Sequence, residues 1–273
     1  MFTVRTLFAA LSIFAFLAPL QVKAQNFSID EIVQARILPG WRSSNGTHIA
    51  GLQLVLGQGW KTYWRSPGEA GIPTQFNWSG SRNLSGVRVE WPTPKAIPQG
   101  HFLTIGYDQA VTLPLHVAPR EPGKTVRLAG EILLGVCRDV CIPVTVSVAQ
   151  ELPYSSSTRD PNIAAAMADT PYSANEAGVR KISCSMSPIE NGIKLRTEIT
   201  MPSVGGYEAV VVETADPNLW IAQPRSKRSG QKLVAETTVH HMDERAFAVN
   251  RSDLRITVVG ESIAVDIQGC SAG

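Results

Sequence analysis

After the first two dozen residues, apolar and polar positions alternate with period two rather than 3.6, the mark of half-buried strands. The alternation predicts strands over His48–Leu56, Gly86–Val89, Ala110–Val117, Thr125–Val136 and Ile142–Val148. Gly and Pro punctuate the intervals, as at Gly57, Gly59, Pro67-Gly68, Pro73, Pro92, Pro94, Pro98 and Pro122-Gly123, and such residues mark turns. The alternation breaks near Pro153, and the stretch from Tyr154 to Gly178 is rich in Ser, Ala, Asn and Asp. Within it Asp160-Pro161 precedes the Ala-rich run Ile163–Met167. Asp at the N-cap and Pro at N1 predict a short helix there. Strand patterns resume at Val179–Met186, Ile193–Met201, Tyr207–Glu213, Lys232–His240, Leu254–Val259 and Ser262–Ile267, with Asn191-Gly192 as a hairpin signal. The reading is an all-β chain of two β-sandwich domains, residues 25–152 and 179–273, joined by a linker over residues 153–178 that carries the short helix. Trp41, Trp60, Trp64, Trp78 and Trp91 all fall in the first domain and read as core and loop-anchoring aromatics.

The head of the chain follows another rule. Arg5 is the only charge before the almost wholly apolar run Leu7–Leu20, and Val22-Lys23-Ala24 puts small residues at the −3 and −1 positions of a cleavage site. The run is short for a bilayer span, so residues 1–24 are expected to be a signal peptide, with a membrane anchor as the alternative. The mature chain is then exported, into a compartment where disulfides form. Lys and Arg number 25 against 23 Asp and Glu, and the two excess positives, Arg5 and Lys23, both lie in this head. The balanced body argues against non-specific nucleic-acid binding, which needs a net basic surface.

The chemistry concentrates in Thr125–Val148. If Arg138-Asp139-Val140 form a turn, Cys137 faces Cys141, and the pairing continues as Val136–Ile142, Leu134–Val144, Ile132–Val146 and Gly130–Val148, an almost wholly apolar set. The alternate set, Gly135–Pro143, Leu133–Thr145 and Glu131–Ser147, is more polar, and both cysteines fall on its face. Within one extended strand residues four apart stand ~13 Å apart, too far for a disulfide. Across a hairpin, opposed Cβ atoms are ~4.5–5.5 Å apart, and small adjustment brings them to bonding geometry. A bond closing so short a loop restrains the unfolded chain little, so redox activity is better motivated than a structural staple. The residues alone leave a structural disulfide and metal ligation open. Arg138 favours a thiolate and Asp139 opposes it.

Three segments in this order carry a family resemblance: Gly59-Trp60-Lys61-Thr62-Tyr63-Trp64-Arg65-Ser66-Pro67-Gly68-Glu69-Ala70-Gly71-Ile72-Pro73; Gly106-Tyr107-Asp108 ahead of Val111-Thr112-Leu113-Pro114-Leu115; and Cys137-Arg138-Asp139-Val140-Cys141-Ile142-Pro143. Together they resemble the N-terminal periplasmic domain of the thiol:disulfide interchange protein DsbD, in its ScsB (suppressor of copper sensitivity) variant, over about residues 27–150. The resemblance implies an immunoglobulin-like sandwich and a periplasmic location. It also implies a redox-active pair, here Cys137 and Cys141, that exchanges electrons with periplasmic thioredoxin-like proteins. The second cysteine of the family pair forms the mixed disulfide, which nominates Cys141. A capping loop matches Gln99–Leu103, with Phe102 as the cap beside His101, and Tyr63 matches an aromatic near the site. No later stretch of this sequence has the length of an apolar span, so the implied membrane electron donor is supplied by another chain. The second β domain is similar, less specifically, to the region that follows in ScsB-type proteins and reads as a second sandwich of the same class.

Cys184 and Cys270 lie in the first and last predicted strands of the second domain. A bond between them would close a long loop and reads as structural, with a second redox or metal pair as the alternative. His240-His241-Met242 is a candidate soft-metal cluster, with Met186 near Cys184. Neighbouring strand residues point to opposite faces, however, so His240 and His241 do not readily share a metal. His48 and His116 are isolated. No phosphate-binding glycine loop or Ser/His/Asp arrangement is identifiable, and neither cofactor nor metal is expected. The leading function is thiol–disulfide exchange. Copper handling with the same thiols and a redox-inert interaction module are the alternatives.

Overall fold

The computed structural model describes residues 28–68, 71–99 and 102–273. The expected signal peptide, residues 1–24, and His101 lie outside the described residues. The fold is all-β. A one-turn helix α1 (Ile29–Ile32) leads into β1 (Val33–Arg42), β2 (His48–Leu56), β3 (Lys61–Tyr63), β4 (Gln75–Asn77), β5 (Leu84–Val89), β6 (Lys95–Gln99), β7 (Phe102–Tyr107), β8 (Val111–Pro119), β9 (Val126–Cys137) and β10 (Cys141–Leu152). One sheet has the order β1-β2-β8-β5; the other runs β10-β9-β3-β7-β6, with β4 also paired to β9. Alternation sends Leu52, Leu54, Leu113 and Leu115 inward from the first sheet to meet Ile105, Ile132, Leu134 and Val136 from the second, all essentially inaccessible to water. Burying each such side chain contributes roughly 1.5–3 kcal/mol. Trp41, Trp60 and Trp64 are buried, whereas Trp78 and Trp91 are half-buried around Phe76.

The segment after β10 does more than connect. Helix α2 (Pro161–Ala168) starts as its sequence demands, with the Asp160 carboxylate accepting from the backbone N–H of Asn162 at 2.8 Å and of Ile163 at 3.2 Å. Its Ile163 is fully buried against Leu38, Trp41 and Ile49, on the outer face of the first sheet. Residues expected to be a spacer thus cover a sheet face, because a short Ala-rich helix with one apolar stripe finds burial only there.

The second half repeats the architecture. Its strands are β11 (Tyr172–Ser173), β12 (Lys181–Ile189), β13 (Gly192–Thr200), β14 (Ala209–Glu213), β15 (Leu219–Ile221), β16 (Arg225–Ser229), β17 (Lys232–His241), β18 (Arg255–Val259), β19 (Ala264–Gln268) and β20 (Ser271–Ala272). One sheet is β11-β19-β18-β14 and the other β15-β17-β13-β12-β20, with β16 also on β17. The hairpin expected at Asn191-Gly192 forms one residue earlier, with Asn191 itself in the left-handed region (φ 56) and Gly192 already in β13.

The two sandwiches are joined by a packed contact. Ala209, Val211, Val259 and Ala264 belong to the same buried cluster as the first core. Beside them the Arg65 guanidinium lies 3.6 Å from the Trp64 ring centre and forms paired hydrogen bonds to Glu213 at 2.9 and 3.1 Å. Burial pulls the Arg65 pKa below its usual range, and the Glu213 carboxylate acts against that.

Candidate functional site

The β9–β10 hairpin has the expected register throughout: Cys137 opposes Cys141, Val136 opposes Ile142, Gly135 opposes Pro143, and the pairing runs on to Val126–Leu152. The turn is Arg138-Asp139-Val140, closed by the Arg138 N–H donating to the Val140 carbonyl at 3.2 Å. Cys137 and Cys141 are disulfide-bonded, with Cα atoms 4.1 Å apart. That spacing marks a narrow, non-hydrogen-bonded pair. Pro143, two residues on, then sits where its missing N–H would have pointed away from β9.

The two sulfurs stand in different surroundings. Cys137 ends an interior strand and is fully buried, although it lies on the face away from the core. Cys141 begins the edge strand and is exposed, next to the 65%-exposed Val140. What buries Cys137 comes from β3. Lys61 opposes Cys137 in register, and the ring of Tyr63 crosses Gly135, where a Cβ would stand 2.6 Å from the ring and 2.6 Å from Ile72. Only glycine lets the aromatic lie this close to the strand. The Tyr63 hydroxyl reaches 2.7 Å from the Cys137 sulfur and 3.1 Å from the Cys141 sulfur. Neither bonded sulfur carries a proton, so the hydroxyl donates. Burial raises the Tyr63 pKa, which keeps that proton in place. Thr62 fixes the strand below by donating to the Gly135 carbonyl at 2.9 Å. Arg138 lies 5.2 Å from the Trp60 ring centre and pairs with Asp139 at 3.1 Å.

Of the sequence-nominated residues, the structure gathers Cys137, Cys141 and Tyr63. Phe102 sits elsewhere. Tyr63 opposes Gly106, and Phe102 lies four residues before Gly106 on β7, displaced away from the Cys137 end of the sheet. It is 54% exposed and lines a cleft with Tyr207, Gln223 and Arg225 of the second sandwich. Lys61 and Ile72 were not singled out by residue pattern. Their only signal was membership of the Gly59–Pro73 segment.

The second pair is built differently. Cys184 and Cys270 are bonded across 86 residues, with Cα atoms 5.7 Å apart and Cys184 fully buried in the second core. His240 opposes Trp220 and its Nδ1 lies 3.0 Å from the Asn191 carbonyl, whereas His241 accepts from the Asp243 N–H at 3.1 Å and packs near Phe247. Among the described residues no group of three or more His, Cys, Asp or Glu side chains is arranged to hold a metal, and no helix is long and apolar enough to cross a membrane.

Residues 34–153 match the family model described as thiol:disulfide interchange protein DsbD, N-terminal. No curated protein matches the chain in sequence. Among solved structures, the N-terminal periplasmic domain of ScsB from Proteus mirabilis aligns over 88% of this chain and 92% of its own, with a TM-score of 0.65 and 22% identity. Over its first sandwich the chain therefore resembles the DsbD N-terminal domain, and over both sandwiches it shares the fold of the ScsB periplasmic domain.

Proposed function

We propose that this protein is a periplasmic thiol–disulfide exchange protein. It passes electrons to or from thioredoxin-like partners through Cys137 and Cys141. The observation that carries the reading is the asymmetry of the pair: one sulfur is offered to solvent and the other is held beneath Tyr63. An exchange protein needs one sulfur that a partner can reach and one that stays at hand to release it.

The steps follow from that geometry. A partner thiolate attacks the sulfur of Cys141. The Cys137–Cys141 bond breaks, and Cys137 leaves as a thiolate while Cys141 is joined to the partner. The Tyr63 hydroxyl, 2.7 Å from the leaving sulfur, donates to the charge as it develops. The partner's second thiolate then attacks its own sulfur in the mixed disulfide and frees Cys141. Two electrons have entered this chain, and the partner carries the disulfide. In reverse, the Cys141 thiolate attacks a partner disulfide and Cys137 resolves the adduct. Lys61, opposite Cys137, contributes a cation on the face where that thiolate forms.

Cys137→Ala is expected to accumulate a mixed disulfide through Cys141 with a thioredoxin-like protein, and Cys141→Ala to trap little. Non-reducing electrophoresis of the variants in their native compartment, with mass spectrometry of the adduct, checks this. If neither variant traps a partner and the reduced wild-type pair binds copper(I) stoichiometrically, exchange is refuted and copper handling takes its place.

A further inference from the structure

The second sandwich takes no part in the exchange steps above, yet it meets the first beside the redox face. In the sheet β10-β9-β3-β7-β6, directly opposed residues share a face. Cys137 opposes Lys61, Tyr63 opposes Gly106, and Thr104 and Phe102 follow Gly106 on that same side. Phe102 therefore looks out from the same face as the disulfide. It marks the far end of that face, where the first sandwich gives way to the second.

At this end the two sandwiches build a cleft of about 320 Å³. Phe102 and Leu103 form one wall, and Tyr207, Gln223 and Arg225 form the other. Phe102 is 54% and Tyr207 61% exposed, so each sandwich presents one large aromatic to water across the opening. Isolated exposed aromatics are ordinary, but two that flank one cleft have the composition of an interface anchor. Among the described residues the cleft is lined by Arg225 and by no carboxylate, and Lys227 lies exposed two residues further along the same strand. The cleft is preformed, because the joint beneath it is fixed by the shared apolar cluster and by the paired Arg65–Glu213 contact.

The distance decides what could occupy it. In register Phe102 stands six positions from the level of Cys137, ~20 Å along the strands, and three strand spacings from Cys141, ~14 Å across. The two points are thus ~25 Å apart. A protein interface of ordinary size covers ~800 Å² on each partner, a patch ~30 Å wide. A partner held at Cys141 over this sheet face therefore reaches the cleft.

We infer that the second sandwich is part of the docking surface for the protein that exchanges thiols at Cys141, with Phe102 and Tyr207 receiving an apolar projection of that partner and Arg225 the acidic side chains beside it. This rests on the exchange reading above. It assigns the second sandwich a role in partner selection, and no role in the bond chemistry itself.

The test separates docking from chemistry by using two reductants on the full chain. The rate of reduction of Cys137–Cys141 is measured with a reduced thioredoxin and, separately, with dithiothreitol, which is too small to span the cleft. Tyr207→Ala, Arg225→Gln and Phe102→Ala are each compared with wild type. We expect the thioredoxin rate to fall by about tenfold, the scale of losing one interface anchor, while the dithiothreitol rate stays within about twofold. The thioredoxin rate of wild type should also fall with added salt more steeply than that of Arg225→Gln, a difference that a purely structural role would not produce. Unchanged thioredoxin rates in all three variants would overturn the inference, as would equal losses with both reductants. A rise in the dithiothreitol rate for Phe102→Ala alone would make Phe102 a shield over the pair and likewise overturn its place in the docking surface. Absence of any wild-type exchange with thioredoxin, alongside normal reduction by dithiothreitol, would refute the underlying function and the inference with it.

Discussion

The two disulfides of this chain are the same bond set in opposite surroundings. Cys137–Cys141 closes a separation of 4 residues, and Cys184–Cys270 closes one of 86. In the chain-entropy model the first restrains the unfolded chain by about 2 kcal/mol and the second by about 4.6 kcal/mol. The long bond ties β12 to the chain leading into β20 and buries Cys184 among Leu195, Ile199 and Val210. The short bond joins two strands that a complete backbone ladder already holds, and it leaves Cys141 in solvent with a hydroxyl on both sulfurs. A bond that adds little to the fold and stands where a partner can reach it can be opened and closed without unfolding the protein.

Removing the bonds is the strongest way to break this contrast. Cys184→Ala with Cys270→Ala should cost roughly 4 kcal/mol, and Cys137→Ala with Cys141→Ala no more than about 2 kcal/mol, read from denaturant midpoints at equal slope. Equal losses would remove the distinction. A subtler change sharpens it. Tyr63→Phe keeps the ring over Gly135 but withdraws the hydroxyl from both sulfurs. Exchange at Cys141 should slow by about tenfold, while the unfolding midpoint and the state of Cys184–Cys270 stay put. An unchanged rate would take Tyr63 out of the mechanism.

Acid should separate the two halves more gently. His48 is fully buried in the first sandwich, donates from Nε2 to the Pro39 carbonyl and has no partner for Nδ1 among the described residues. Burial lowers its pKa below 6.5, more than the Pro39 contact raises it. The unfolded chain then binds the proton first, so the stability His48 contributes is complete above pH 6.5 and declines as pH falls below it. In the second sandwich, burial pushes Glu208 upward, but Arg228 and the Val204 N–H outweigh it and leave the pKa below 4.5. That contribution is complete above pH 4.5 and is lost as pH falls through the depressed folded value. Wild type should therefore begin to lose stability below pH 6.5, and His48→Gln should flatten only that part of the profile.

The contrast between these regions also marks what the sequence could reveal. The β9–β10 register was legible because one alignment sorts apolar from polar positions over twelve residues of each strand. The N-cap of α2 was legible because Asp160-Pro161 acts locally. Strands β3 and β4 were not, since three residues carry no periodicity, and β1 was hidden by the register shift around Pro39-Gly40, where Gly40 takes φ 60. The burial of Cys137 was illegible for a related reason. Alternation places it off the core, and the residue that covers it, Tyr63, lies 74 positions away on another strand. The resemblance placed Tyr63 near the site, whereas pattern alone would have left Cys137 exposed. The resemblance also made Phe102 a cap; the β7 register sets it apart from the sulfurs, at the joint with the second sandwich.

The most direct test of the account is the reduction potential of each bond in the intact protein, obtained by equilibration with graded dithiol buffers, alkylation and peptide mapping. Cys137–Cys141 is expected to equilibrate within the range of exchange proteins, roughly −120 to −270 mV, while Cys184–Cys270 stays oxidised to below about −300 mV. If Cys137–Cys141 also lies below about −300 mV, it is a structural bond and the central claim is wrong.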